Sequence, residues 1–104
     1  MSEVVSFDDM LLVPQKSEII TRDSVDLSLE ARHLSLSSPV FSSPMDTVTG
    51  AKMARRLNDL GAAAVIHRYN TVADQVVMFR DATEGMQTHN VGAAIGVSGD
   101  FSER

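Results

Sequence analysis

Residues 42–50, Ser-Ser-Pro-Met-Asp-Thr-Val-Thr-Gly, gather hydroxyls, a thioether and a carboxylate between an apolar segment (Pro39, Val40, Phe41) and the start of a helical pattern. In an α/β protein the loop after the C-terminal end of a parallel strand is where ligands bind, because strand ends and helix N-termini converge there with unpaired N–H groups. The plainer reading is that Ser and Thr serve as turn and cap residues and that Pro44 stiffens the turn. The residues alone leave both open. A second polar loop, His67-Arg68-Tyr69-Asn70, and a third, Gly96-Val97-Ser98-Gly99-Asp100, each follow an apolar run. His67 is an acid or base by chemistry, but with no carboxylate or metal ligand beside it, it reads as a structural or orienting residue and no catalytic role is assigned to it. Arg68, and Arg22 in the turn Thr21-Arg22-Asp23-Ser24, read by themselves as solvated surface charges.

The elements that must position these loops follow from hydrophobic periodicity. Phe7, Met10, Leu11, Leu12 and Val13 form an apolar cluster closed by Pro14, expected as an arm packed on the domain. Val25, Leu27 and Leu29, then Leu34 and Leu36, alternate with polar residues on either side of Ala31-Arg32-His33, which predicts a β-hairpin with one buried face. A first parallel strand is expected at residues 39–41. Thr49 is expected to cap a helix with Met53, Ala54, Leu57 and Leu60 inward, and Gly61 to end it with φ > 0. The continuous apolar run 62–66 suits a strand covered on both faces. Thr71 and Asp74 predict the start of a second helix, through about Ala82, with Val72, Val76 and Phe79 inward. Residues 91–95 predict a third strand, and Asp100 with Glu103 a further helix cap. Strand–helix alternation with short loops predicts a parallel α/β sheet.

The bulk properties narrow the function. The 104 residues suit one small domain, and 43% hydrophobic with 22% charged residues is globular composition. A net charge of −5 without any Lys/Arg-rich run argues against nucleic acid as a partner. No apolar stretch approaches the roughly 20 residues of a membrane span, and Met-Ser-Glu does not begin a signal peptide. A soluble, cytoplasmic protein is the expectation. With no cysteine there is no disulfide, no thiolate metal site and no cysteine nucleophile in these residues.

Ser-Pro-Met-Asp-Thr-Val-Thr closely resembles the first barrel loop of the IMP dehydrogenase/GMP reductase family. Phe7-Asp8-Asp9-Met10-Leu11-Leu12-Val13-Pro14 resembles that family's N-terminal arm, while Ile66-His67-Arg68 and Val91-Gly92-Ala93-Ala94-Ile95-Gly96 resemble its second and third strands. The resemblance implies the N-terminal portion of a (β/α)₈ TIM barrel, incomplete in this chain: arm and hairpin over 1–38, the first three barrel strands over 39–104. It implies that Ser43 and Met45 bind the purine nucleoside monophosphate, GMP or IMP. The chemistry agrees, since a hydroxyl can donate to phosphate or ribose and a thioether can lie against a flat ring. Asp46 and Thr47 are expected to fix the loop through bonds to its backbone. The family's attacking cysteine, phosphate-clamping glycines and monovalent-cation site all lie later in the barrel. The 104 residues alone are therefore expected to be inactive, and the full-length protein to form a homotetramer.

Within the family, two features resemble GMP reductase, which reduces GMP to IMP and ammonia with NADPH. Asp81 to Asn90 joins the second helix directly to the next strand, where dehydrogenases commonly insert paired CBS modules. Thr21-Arg22 before Ser24-Val25-Asp26-Leu27 resembles a reductase segment that contacts NADPH, and Arg68 stands where a Lys contacts the same cofactor; an Arg fork suits a 2′-phosphate. Thr21, Arg22 and Arg68 are accordingly expected to bind cofactor. The alternatives are an IMP dehydrogenase lacking CBS modules, which uses NAD and which Leu-Leu-Val-Pro and Asp-Thr-Val-Thr resemble more closely, and an inactive truncated barrel acting as an interaction module.

Overall fold

The computed structural model describes residues 4–104 and shows a mixed α/β arrangement. A short antiparallel hairpin, β1 (Leu29–Ala31) and β2 (Leu34–Leu36), turns through Arg32 and His33, with Leu29 opposite Leu36 and Ala31 opposite Leu34. Helix α1 (Ala51–Asp59), strand β3 (Ala64–Ile66), helix α2 (Val72–Thr83) and strand β4 (Val91–Ala93) follow. β3 and β4 pair in parallel, Ala64 to Val91 through Ile66 to Ala93. The expected strand at residues 39–41 is reduced to one parallel bridge, Phe41 to Ala63, held by Ala63 N–H on Val40 O and Ser42 N–H on Ala63 O. Its flanking prolines explain the shortening, because Pro39 and Pro44 have no N–H to give a ladder. Beyond the bridge the Ser42 hydroxyl, not a main-chain carbonyl, takes the Val65 N–H at 3.4 Å.

The core lies between the two helices and the parallel strands: Ala54, Ala64, Ile66, Ala82 and Val91 are buried, with Ala51, Leu57, Met78 and Phe79 packed against them. Small alanines let both helices sit close to the sheet. The inward faces differ from the expected ones. In α1 Met53 and Leu60 are exposed and the contact runs through Ala51, Ala54 and Leu57; in α2 Val76 is exposed while Gln75 and Ala82 are buried. Helix α1 ends as expected at Gly61, whose φ is 73°. Gly61 N–H bonds Asn58 O, and Ala62 N–H bonds Leu57 O at 2.9 Å, the paired bonds of a Schellman ending. An added Cβ at Gly61 would overlap the Ser37 hydroxyl, which is exposed and can turn aside, so it is the positive φ that favours glycine here. Asn90 ties the hairpin to the helical layer, donating to Ser35 O at 2.8 Å from its side chain and to Asn58 Oδ1 at 2.7 Å from its backbone.

The arm is not packed on the domain. Phe7 is 99% and Leu12 98% exposed, and every hydrogen bond made by residues 4–28 reaches at most three positions along the chain. The hairpin's buried face is likewise limited to Leu36 and part of Leu34. A Cα radius of gyration of 17.4 Å, against about 13 Å for a compact chain of this length, reflects the extended N-terminal third.

Candidate functional site

Parallel pairing of the Phe41 bridge, β3 and β4 puts the first, second and third loops at one end of the sheet, the C-terminal end of each strand. Ser43, Arg68 and Ser98 therefore share that end. Within the first loop, Met45 O accepts from both Val48 N–H and Thr49 N–H at 3.0 Å, curling the chain so that Ser43 and Met45 remain exposed. Thr49 does not cap α1. Gly50 is the N-cap residue, and the fully buried Thr49 instead donates its hydroxyl to Ser43 O at 2.6 Å. That bond across the loop does what was expected of Asp46 and Thr47, which make no side-chain hydrogen bond among the described residues. Thr49 O also accepts from His67 N–H at 3.4 Å, joining the first loop to the second.

His67 is buried, and its Nδ1 accepts from Tyr69 N–H at 3.2 Å, which leaves the proton of the neutral ring on Nε2. Its carbonyl accepts from Gln75 Nε2 at 3.1 Å, and the same amide reaches Ala94 O at 2.9 Å. Gln75 is thus a buried brace between the second loop and the end of β4. Arg104 completes the brace from the third loop. Its Nη1 donates to Gln75 Oε1 (3.0 Å) and Asn70 Oδ1 (3.2 Å), its Nη2 to Asn70 O (2.7 Å), and it pairs with Asp100 at 2.9 Å. The hydrogen bond from Arg104 holds the Asp100 carboxyl below the usual carboxylate range. This pairing takes the place of the helix cap expected from Asp100 and Glu103; the segment remains a turn.

Arg68 is exposed, and its guanidinium lies against the third loop: a Cβ on Gly96 would stand 2.7 Å from Nη1. It makes no hydrogen bond among the described residues. Thr21 and Arg22 stand apart. They lie in an exposed turn whose hydrogen bonds, Ser24 N–H and hydroxyl to Thr21 O and Val25 N–H to Arg22 O, stay within the turn. No helix among the described residues is long and apolar enough to cross a membrane.

Gln75 and Arg104 were not singled out in the sequence. Gln75 carried a signal, since it falls seven positions before Ala82 on the sheet-facing side of α2. Arg104 carried only the charge of Asp100 four positions before it, because its other partners, Asn70 and Gln75, are far away along the chain.

A family model described as the IMP dehydrogenase / GMP reductase domain matches residues 4–104. Inosine-5′-monophosphate dehydrogenase of Bacillus subtilis (strain 168) is 42% identical over 91 residues, covering 84% of this chain and 18% of that protein. The enzyme of the same name from Methanocaldococcus jannaschii is 36% identical over 108 residues, covering 93% of this chain and 22% of that one. The crystal structure of inosine 5′ monophosphate dehydrogenase from Legionella pneumophila matches with a TM-score of 0.71 at 28% identity, over 97% of this chain and 30% of that chain. The chain spans about a fifth of the length of these two sequence relatives. With the match running through the arm, the hairpin and all three loops, the chain belongs to the IMP dehydrogenase / GMP reductase family.

Proposed function

We propose that the full-length protein containing this chain is an IMP dehydrogenase that oxidises IMP to XMP with NAD⁺ and water, on a barrel of which these residues form the first part. The observation that carries this reading is the name shared by the relatives at 36 to 42% identity, inosine-5′-monophosphate dehydrogenase, supported by the structural neighbour of the same name. It takes the place of the GMP reductase expectation. That expectation rests on Arg22, Arg68 and the direct connection of α2 to β4, whereas the relatives described above carry the dehydrogenase name.

The loop end fits both ligands. Ser43 presents a hydroxyl for phosphate or ribose and Met45 a half-exposed thioether for the purine face, on a loop fixed from beneath by Thr49. Arg68 offers an unbonded guanidinium fork for a dinucleotide phosphate. The nicotinamide supplies a hydride acceptor for the hydrogen at C2 of the purine. The nucleophile that opens that position is not among these residues, which contain no cysteine. What this chain does is bind and orient.

A second reading, reduction of GMP by NADPH, is favoured by the direct connection of α2 to β4 through residues 84–90. Absorbance at 340 nm with the full-length protein separates the two. NADH formation from IMP and NAD⁺ is expected; NADPH consumption with GMP and no turnover of IMP would replace the proposal with the second reading.

A further inference from the structure

We propose that Arg104 is a positioning residue that holds Arg68 in register with the third loop for dinucleotide binding, an inference that rests on the reading of Arg68 as a cofactor contact. The geometry is a clamp. His67 is fixed on both sides of its residue, its N–H by Thr49 O and its carbonyl by Gln75 Nε2. Asn70 is fixed by Arg104 through its side chain and its carbonyl. Arg68 and Tyr69 are the span between these two anchored points, so the root of Arg68 has little freedom although the residue itself is exposed.

The head of Arg68 rests against Gly96, and Arg104 also governs the loop on which that glycine sits. Its Nε donates to Asp100 Oδ1 at 3.2 Å while Nη2 pairs with Oδ2 at 2.9 Å, the two-pronged arrangement that fixes orientation as well as distance. The Arg104 side chain is only 6% exposed, so water offers its groups little alternative if the partners part. One guanidinium therefore braces both the base of Arg68 and the surface that supports its tip. Asp100 meanwhile balances the charge of Arg104 and lies close enough to Arg68 to feel its field. Arg68 keeps its own donors unspent for an anionic ligand. The brace needs the planar fork: an ammonium at the same position cannot reach Asp100, Asn70 and Gln75 together.

The test uses Arg104→Gln and Arg104→Lys in the full-length protein, with amide hydrogen exchange and steady-state kinetics. In Arg104→Gln, exchange at residues 67–70 and 94–100 is expected to accelerate about ten-fold or more while α1 and β3 keep their protection. KM for the dinucleotide should rise about ten-fold, KM for the purine monophosphate should stay within about two-fold, and Arg104→Lys should fall between wild type and Gln. Unchanged loop exchange, acceleration spread evenly over the protein, or an equal rise in both KM values would overturn the proposal. Wild-type turnover identifies the nucleotide pair independently. If it consumes neither IMP with NAD⁺ nor GMP with NADPH, the functional reading fails, and loop exchange together with direct titration of NAD⁺ and NADPH decides the clamp.

Discussion

Replacing Thr49 by Val tests the claim that the first loop is held from below by one hydroxyl. The substitution keeps the branched shape in a fully buried site and deletes only the donor to Ser43 O, a bond of 2.6 Å. A lost hydrogen bond with its acceptor left buried costs about 1–3 kcal/mol, but Ser43 O also accepts from Met45 N–H at 2.8 Å and keeps that partner, so the low end, about 1 kcal/mol, applies. Thr49→Ser is the counterpart: it keeps the hydroxyl and removes a buried methyl, which by analogy with Ile→Val costs about 0.5–1.5 kcal/mol. The two variants should therefore have similar urea midpoints. Their binding should differ. Ser43 and Met45 are carried by the loop that only Val releases, and a loss of about 1 kcal/mol corresponds to roughly five-fold weaker binding of IMP. Isothermal titration of the full-length protein with IMP is the assay. Wild-type affinity in Thr49→Val, or equal weakening in Thr49→Ser, would refute the reasoning and return Thr49 to a purely structural role.

Two further outcomes follow from the geometry. Gly61→Ala should destabilise by about 1–3 kcal/mol in chemical denaturation, the cost of a left-handed backbone, since the exposed Ser37 hydroxyl can rotate away from the added Cβ; wild-type stability in the variant would show that the φ of 73° is not required. Asp100 is held below its ordinary value of 3.8 by Arg104, so its contribution to stability is present above that pH and is lost as pH falls through the lower, folded-state value. Thermal midpoints of wild type and Asp100→Asn should accordingly differ at pH 6 and converge below pH 3.8; a gap that persists unchanged into acid would show that the pairing contributes nothing.

The sequence was informative where a single residue's own chemistry decides the backbone. Gly61 ends α1 because a left-handed residue with no side chain is required there, and Thr71 starts α2 by accepting Asp74 N–H at 3.1 Å. It was less informative where a neighbour decides. The inward face of α2 was expected at Val72, Val76 and Phe79, yet Gln75 takes the place closest to the strand ends because carbonyls of His67 and Ala94 need a donor there. Hydrophobicity does not register that need. Thr49 had the right chemistry for a cap, and only the curl of the loop delivers Ser43 O to it instead. Apolar content in the arm predicted burial but not a surface to be buried against. Family resemblance pointed to Ser43, Met45 and Arg68 at one end of the sheet, and the polar brace beneath them became visible only in three dimensions.

The unpacked arm has a thermodynamic side as well. Fully extended, residues 4–28 would reach about 80–90 Å. A chain of that length presents its apolar residues to the domain it is joined to at an effective concentration in the millimolar range. A weak landing site on the same molecule would therefore be filled ahead of an equal site on a neighbour at ordinary protein concentrations. Crowding many copies together reverses that preference. Exposure of Phe7, Leu11 and Leu12 is a property of these 104 residues, a chain that spans about a fifth of its relatives' length.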